Sequence, residues 1–457
     1  MSTTTAAKAP ARNASVRTAL GRRRRLHELG LGVHAIVVVI SAYVVLALAD
    51  NSRLPSNLPL LLGGVIGVYA VAHLAVRRLA PNADGTLLPI VAMLNGIGFV
   101  MITRLDRRLA GTQATWTLVG VAAFVVTLWV IRDIRVVARY RYSCALAGIV
   151  LLLLPLAPSP IGRTINGARI WARVGVISFQ PGELAKILLA AFFAGYLVDT
   201  RALLAVGTTR LGRFRLPDPR HLAPLVVIWA ISILVLVFEK DLGSSLLLFF
   251  VFASMLYVAT DRAAYALGGL GLFALSGWAA NRMFAHVHLR VTTWLNPWPN
   301  NVRNAGGFQV IQSWYAFANG GLSGRGLGLG APDKVPVAVS DFILAAIGEE
   351  LGFLGTAAVV MLVLLLVGTG LRIAVDHDDA FTKLFITGLT VILAVQTFVI
   401  VGGVTRLIPL TGVTLPFVSY GGSSLIGNFI VIALLARASD ASVRDAAQRR
   451  RREARRA

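Results

Sequence analysis

The chain has 457 residues, of which 56% are hydrophobic and 14% are charged, and its formal net charge is +23. This composition excludes an ordinary soluble protein and indicates a chain whose main solvent is lipid. The single cysteine, Cys144, excludes an internal disulfide framework.

Basic residues are concentrated in the two tails, at residues 22–25 and 449–452. Beside apolar spans, such clusters hold loops at the anionic cytoplasmic surface more often than they bind nucleic acid. We therefore expect no nucleic-acid partner. Residues 1–30 are predicted to be a disordered cytoplasmic tail and residues 439–457 a basic cytoplasmic tail.

Between the tails the chain contains about twelve apolar runs, each close to the length that a transmembrane helix needs. The predicted fold class is therefore an all-α polytopic membrane protein. The runs lie near residues 31–49, 58–76, 88–103, 114–131, 144–157, 182–198, 223–238, 243–259, 264–280, 348–371, 383–404 and 422–438.

Arg and Lys in alternate loops predict that both chain ends are cytoplasmic. The same alternation places residues 158–181, 239–242 and 405–421 on the outer face, together with a large loop at about 282–347. Several arginines in these outer segments exceed what the orientation rule requires. Solubility explains them, but binding of an anionic headgroup explains them better, because arginine suits bidentate phosphate contacts.

Two short stretches carry charges at the membrane boundary. Pro181 is placed to open a helix, and Glu183 and Lys186 then share one face of its first turn at an i, i+3 spacing. Paired charges at that depth are candidates for function, with helix packing as the alternative. Glu239-Lys240-Asp241 predicts a sharp outer turn, in which a structural ion pair and a catalytic role for Asp241 stay equally open.

The third stretch, residues 306–355, interrupts the apolar pattern. It begins as a predicted interfacial helix with Gln309, Gln312 and Ser313 on its polar face. It continues as a glycine-rich loop, residues 320–330, whose backbone amides are expected either to line an anionic or sugar ligand or simply to be flexible. Three carboxylates, Asp341, Glu349 and Glu350, follow the loop.

Four motifs in this order resemble the SEDS (shape, elongation, division and sporulation) family of peptidoglycan polymerases, typified by RodA and FtsW. The resemblance covers about residues 88–438. The motifs are Gly167-Ala-Arg-Ile-Trp171 with Gln180-Pro-Gly-Glu183 and Lys186; Asp241-Leu-Gly-Ser-Ser245; Gly307-Phe-Gln-Val-Ile-Gln-Ser313 through Asp341 to Gly348-Glu-Glu-Leu-Gly352; and residues 407–424, which include Ser419-Tyr-Gly-Gly-Ser-Ser424.

The resemblance implies a ten-helix polymerase core at residues 88–438, so that residues 31–87 are two additional amino-terminal helices. It implies polymerisation of lipid II into glycan strands on the outer face of the bacterial cytoplasmic membrane. A class B penicillin-binding protein is then the expected transpeptidase partner. An elongation-type member is favoured over a division-type one.

By the same resemblance, Asp341 is the catalytic aspartate, and we expect it to act as the general base on the acceptor hydroxyl. Cationic groups or a divalent cation, Mg or Mn, are then needed for the leaving pyrophosphate. The residues expected to line the substrate cavity are Glu183, Lys186, Asp241, Arg169, Trp171, Gln309, Gln312, Ser313, Arg325 and Ser419.

The sequence also departs from the family pattern. Val339-Ser340 replaces a frequent His-Thr before the aspartate, Glu239-Lys240 replaces Gln-Pro, and Gly182 replaces Ser. Any assistance from that histidine must therefore be absent or replaced. The rival hypotheses are a flippase or transporter of lipid-linked precursors and a non-catalytic scaffold, which would leave the outer carboxylates unexplained.

Overall fold

The computed structural model describes residues 9–51, 58–165, 168–175, 177–205, 209–211, 214–216 and 219–456. Asn166 and Gly167, which precede the Arg169 motif residue, lie outside these ranges.

The described chain is mainly helical. In order, the helices are α1 (Ala9–Asn51), α2 (Leu58–Leu79), α3 (Leu87–Leu105), α4 (Arg107–Val130), α5 (Arg135–Arg139), α6 (Arg141–Leu153), α7 (Gly182–Ala205), α8 (Pro219–Phe238), α9 (Leu242–Thr260), α10 (Ala263–Met283), α11 (Ala285–Leu295), α12 (Asn300–Val302), α13 (Phe308–Gly320), α14 (Ile343–Val375), α15 (Ala380–Val404) and α16 (Gly422–Arg456). Each of the twelve apolar runs coincides with one of these helices.

Within the described residues, eight helices are long and apolar enough to cross a membrane, and two shorter apolar helices accompany them. The predicted class, an all-α polytopic membrane protein, is therefore confirmed. The number of twelve crossings stays a prediction. Several helices begin where a carboxylate caps the first turn, as Asp106 does for α4 and Asp379 for α15.

The structure differs from the sequence-based expectation in the amino-terminal segment and in two of the connections between helices. Helix α1 begins at Ala9, so the described part of the segment expected to be a disordered tail, residues 9–30, is helical. Alanine and arginine are strong helix formers, which favours this extension. Two small antiparallel sheets were also not expected. They are formed by β1 (Gly162–Ile165), β2 (Ala168–Val174) and β3 (Ile177–Phe179), and by β4 (Thr209–Leu211) and β5 (Phe214–Leu216).

One end of the bundle is fixed by buried polar side chains of α16, and we call it the Asp440 end. Arg437, only 4% exposed, donates to backbone carbonyls at the carboxyl ends of α2 and α4, including Ile131 O at 2.9 Å. Asp440 accepts from the Asn82 backbone and side chain at 2.9 and 3.0 Å. These bonds satisfy carbonyls that a helix end leaves unpaired, so they join α2 and α4 to α16.

The opposite end, which we call the Asp341 end, gathers segments that are distant in sequence. Its backbone contacts join β2 to the turn after α8, and residues 335–342 to the segment after α15. These are the same segments that the charge alternation assigned to one face of the membrane, so their association is confirmed.

Candidate active site

The Asp341 end is organised around residues 410–424, which we call the hub segment. It comprises irregular backbone after α15 and the first residues of α16. Gln396, fully buried on α15, donates to Thr414 O at 3.0 Å and to Ser424 Oγ at 3.2 Å. Thr414 Oγ1 in turn donates to Ser424 Oγ at 2.8 Å. Irregular backbone near membrane depth is tolerated only where protein groups satisfy it. These contacts therefore hold the hub segment in one conformation.

Asp341 is positioned by the hub segment. The Tyr420 backbone N–H donates to Val339 O at 2.8 Å, and Ser419 Oγ donates to Ser340 O at 2.7 Å. A methyl group placed on Gly412 would lie 3.6 Å from Asp341 Oδ2, so the carboxylate faces that glycine. Ser419, predicted to line the cavity, thus acts through the backbone next to Asp341.

The carboxyl group of Asp341 has two opposing influences on its proton affinity. Burial raises its pKa, whereas a hydrogen bond from the Ser340 side chain and the charge of Arg290 lower it. A carboxylate with a raised pKa is a stronger base than a solvated one, and it is still ionised where a cation offsets part of the desolvation. The group can therefore accept a proton from a substrate.

Arg290 lies near two acidic residues of the site, Asp241 and Asp341. It projects from α11 and donates through Nη1 to Leu410 O, in the hub segment, at 3.0 Å. Burial lowers its pKa, and the negative charges of Asp241 and Asp341 raise it. The sequence placed Arg290 among the surplus outer arginines, but nothing in its local pattern distinguished it from the others. Its position depends on the tertiary meeting of α11 with the hub segment.

The pair predicted at the start of α7 is confirmed. Lys186 Nζ lies 3.0 Å from Glu183 Oε2, and the two side chains are 7% and 14% exposed. The Gln180 backbone N–H donates to Ser423 Oγ at 2.8 Å, which brings this helix start against the hub segment. A charge pair at this depth is costly unless it is compensated, so it remains a candidate for function, with helix packing as the alternative.

The sharp turn predicted at residues 239–241 is also confirmed, because α8 ends at Phe238 and α9 begins at Leu242. Asp241 caps α9 by accepting from the Ser244 backbone N–H at 2.9 Å. It therefore has a structural role and also lies near the charge of Arg290. Both of the roles left open by the sequence are compatible with this position.

Glu239, which sequence reasoning noted only as a departure from the family pattern, is 2% exposed. Its Oε1 has no hydrogen-bond partner among the described residues. Burial, with the nearby charge of Asp241, raises the pKa of Glu239 to about 9. The side chain is therefore a neutral acid at pH 7. Its backbone oxygen accepts from the Arg169 N–H at 3.0 Å, which joins β2 to the turn.

Several backbone amides of the glycine-rich loop are bonded within the protein, contrary to the expectation that they line an anionic or sugar ligand. The backbone N–H groups of Arg325 and Gly326 donate to the carbonyls of Glu349 and Glu350 at 3.0 and 2.9 Å. The Gly328 N–H donates to Glu350 Oε2 at 3.0 Å. Glu350 also pairs with Arg104 Nε at 2.9 Å. Amides that are used within the protein are not available to a ligand.

The remaining residues predicted to line the cavity differ in how far they are buried and in whether their polar groups are already bonded. Ser313 is fully buried, and its hydroxyl donates to Val310 O at 2.7 Å, so it is directed at its own helix. Gln309 and Gln312 are half-buried on the same helix, α13. Trp171 is half-buried on β2, and Arg169 and Arg325 are exposed. Among the described contacts, none joins either guanidinium to Asp341.

The arrangement combines a carboxylate with a half-buried cation at one end of a membrane-embedded bundle. Groups of this kind can remove a proton from a hydroxyl and stabilise charge on a departing anion. Within the described residues, no three His, Cys, Asp or Glu side chains form a cluster that could hold a metal ion.

Residues 85–443 match the model of the FtsW/RodA/SpoVE family, whose description is cell cycle protein. The chain is 47% identical over 427 residues to the peptidoglycan glycosyltransferase RodA of Mycobacterium tuberculosis (strain ATCC 25618 / H37Rv), covering 91% of this chain and 90% of that protein. It is 36% identical over 325 residues to the probable peptidoglycan glycosyltransferase FtsW of Geobacter metallireducens (strain ATCC 53774 / DSM 7210 / GS-15), covering 71% of this chain and 82% of that protein.

A similar solved structure is a chain of a peptidoglycan synthase complex that coordinates polymerization and crosslinking. The two chains are 26% identical, with a TM-score of 0.64. The similarity covers 79% of this chain and 98% of the other. It extends the sequence similarity to the three-dimensional arrangement of the helices.

Replacing Ser419 with alanine tests the attachment of Asp341 to the hub segment. The substitution leaves Ser340 O and the Leu415 N–H without their buried partner, so we expect the free energy of unfolding in detergent to fall by about 1–3 kcal/mol. Ser323→Ala, at an exposed position of the glycine-rich loop, is the matched control. Equal unfolding free energies for the two variants would contradict the assignment.

Proposed function

We infer the reaction of this site from one premise: the chain belongs to the FtsW/RodA/SpoVE family of cell cycle proteins and is a peptidoglycan glycosyltransferase. It is a multi-pass protein of the bacterial cell membrane. The RodA-named relatives are more similar to it than the FtsW-named ones are, which supports the elongation-type polymerase.

The substrate of the proposed reaction is lipid II, the undecaprenyl-pyrophosphate-linked disaccharide-pentapeptide. Two such lipids bind at the Asp341 end, and the sugar of one is transferred to a hydroxyl of the other. The Asp341 end then faces the outside, both chain ends are cytoplasmic, and a class B penicillin-binding protein crosslinks the product. The similar chain in the peptidoglycan synthase complex supports this partnership.

Asp341 serves as the general base. Its carboxylate accepts the proton of the acceptor hydroxyl while the hydroxyl oxygen bonds to the anomeric carbon of the donor. The bond from that carbon to the pyrophosphate oxygen breaks, undecaprenyl pyrophosphate leaves with the electron pair, and the anomeric configuration inverts. The observation that carries this proposal is an aspartate whose two preceding residues are held by hydrogen bonds from the hub segment and whose carboxyl group lies near the half-buried Arg290.

The charge that develops on the pyrophosphate requires compensation in a poorly solvated site. Arg290 is the cation nearest the base in electrostatic terms. Arg169 and Arg325, exposed at the same end, are suited to hold the phosphates of an entering lipid, because arginine forms paired contacts with phosphate oxygens. Lys186 is paired with Glu183 and acts in the cavity with it.

A divalent cation, Mg²⁺ or Mn²⁺, is also part of the proposal. It would be held mainly by the pyrophosphate oxygens, with at most one or two carboxylates such as Asp241 and Asp341, because the described residues contain no larger ligand cluster. When bound, it supplies positive charge to the leaving group.

Asp341→Asn removes the base and keeps its size. We expect lipid II polymerisation by the purified protein with its transpeptidase partner to fall by at least about 100-fold, since general base catalysis contributes about 10² to 10⁴. Asp333→Asn, an exposed acid in the same loop, should keep the wild-type rate. A wild-type rate for Asp341→Asn would exclude the catalytic assignment. No polymer from the wild-type protein under any partner or metal condition would favour transport or scaffolding.

Arg290→Ala tests the electrostatic coupling of this arginine to the base. Because the charge of Arg290 lowers the pKa of Asp341, its loss raises that pKa and protonates the base at pH values where the wild type is active. The rise of activity with pH should therefore move upward by about 1–3 pH units. Arg290→Lys keeps the charge, so its pH profile should lie closer to that of the wild type than the profile of Arg290→Ala does. A profile for Arg290→Ala that superimposes on the wild type would rule out the coupling.

Removal of divalent cations tests the metal proposal. We expect excess EDTA to abolish glycan synthesis and added Mg²⁺ or Mn²⁺ to restore it. Without the cation, too little positive charge would offset the negative charge on the leaving pyrophosphate. The measurement is the polymer formed from purified lipid II. Full activity in EDTA would show that the protein cations suffice.

A further inference from the structure

A groove separates the two amino-terminal helices from one another on the surface of the bundle. Helix α1 packs on α3, whereas α2 packs on α4, so the two helices leave a gap whose floor is α3. The gap has a volume of about 410 Å³, and Leu88, Pro89 and Ala92 of α3 line it. This volume lies within the roughly 300–1,000 Å³ that is typical of small-molecule sites. Both α1 and α2 lie outside the family match at residues 85–443.

The walls of the groove are apolar along a length that matches one leaflet. Val33 and Ile36 of α1 face Ile66 and Leu74 of α2 across it. From Glu28 to Ile36 the helix rises by about 12 Å, and one leaflet of the hydrocarbon core is about 15 Å thick. Val33, Ile66 and Leu74 are 53%, 43% and 50% exposed, so the protein itself does not fill the space.

The deep part of the groove presents no free polar group of its own. Tyr69, the aromatic residue in the wall, donates its hydroxyl to Asn95 Oδ1 at 3.0 Å. Thr117 donates to the same oxygen at 3.2 Å. Because these polar atoms bind one another, an occupant of the deep part gains only from apolar contact. A hydrocarbon chain fits this requirement, and a polar ligand does not.

The mouth of the groove is charged. Glu28, 5% exposed, contacts His73 Nδ1 at 3.1 Å through Oε1, and it pairs with Arg77 through Oε2. Arg78 follows on α2 and is exposed. The mouth lies at the Asp440 end, because the loop from α2 to α3 that packs on Glu28 also binds Asp440.

Charge balance at the mouth favours an anion. The two arginines exceed the one carboxylate, even with histidine neutral, and four further arginines precede Glu28 in the sequence at residues 22–25. Basic pockets between transmembrane helices on the cytoplasmic side of a membrane bind anionic lipid headgroups, and the Asp440 end carries the chain ends that are proposed to be cytoplasmic. Arginine also pairs readily with phosphate oxygens.

We propose that the groove between α1 and α2 binds one anionic phospholipid from the leaflet at the Asp440 end. One acyl chain occupies the apolar groove over α3, and the phosphate lies at the mouth beside Arg77 and Arg78. The lipid thereby adds to the direct packing of α1 on α3 and of α2 on α4. This inference does not depend on the proposed catalytic mechanism.

The chain offers a substitution that fills the groove without a clash. A methyl group placed on Gly32, in the wall, meets no atom within 4 Å, so Gly32→Leu extends into the space that the acyl chain would occupy. Gly67→Leu, on the neighbouring helix and outside the lining, is equally unobstructed and serves as the matched control. Val33→Trp is a second filling variant in case Gly32→Leu does not fold.

The experiment titrates the delipidated full-length protein with dioleoyl-phosphatidylglycerol or dioleoyl-phosphatidylcholine and counts bound lipids by native mass spectrometry. We expect one phosphatidylglycerol to bind at least about tenfold more tightly than phosphatidylcholine. The filling variants should weaken this binding by at least about tenfold, which is the effect of withdrawing two methylene groups from apolar contact. The control should match the wild type.

Wild-type binding of phosphatidylglycerol by a folded filling variant would overturn the site. Equal affinity of the wild-type protein for the two lipids would overturn the assignment of an anionic headgroup. Arg78→Gln, an exposed substitution that leaves the Glu28 pairs intact, should reduce the preference for phosphatidylglycerol without changing the binding of phosphatidylcholine.

Discussion

The arrangement of the site depends on the need to satisfy an irregular backbone next to the membrane. Most of the hub segment is irregular, so its polar groups are paired with side chains and loops from elsewhere in the chain. Gln396 holds it from α15, Arg290 from α11 and Gln180 from the start of α7. The same segment then supplies the hydrogen bonds that position Val339 and Ser340. Asp341 is thus fixed by residues about eighty positions away in the sequence.

The acidic residues of the Asp341 end fall into two groups by the partners that they have. Glu349 and Glu350 accept hydrogen bonds from the glycine-rich loop, and Glu350 is also paired with Arg104, so their charges stabilise the fold. Asp341 has a cation near it but keeps a raised pKa, and Glu239 is buried without a partner for Oε1 among the described residues. The carboxylates of Glu349 and Glu350 are used to hold the loop, whereas the carboxyl groups of Asp341 and Glu239 are candidates for chemistry.

Local features of the site could be predicted from the sequence, and its tertiary features could not. The pairing of Glu183 with Lys186 follows from an i, i+3 spacing, and the turn at residues 239–241 follows from charges between two apolar runs. By contrast, the contact of Arg290 with Leu410 and the bond from Ser419 to Ser340 join segments that share no local pattern. The strands β1 to β3 are too short to show a clear alternation. The glycine-rich loop was misjudged because its amides are satisfied by carboxylates and carbonyls that follow it in the chain.

Helix α16 carries polar anchors for both ends of the bundle. Ser423 binds the segment before α7 at one end of this helix, and Arg437 binds the ends of α2 and α4 at the other. These two residues are separated by about 21 Å of helix. A helix that is held by buried hydrogen bonds at both ends cannot slide along its axis without breaking one set of them. The Asp341 end and the Asp440 end are therefore kept at a fixed separation.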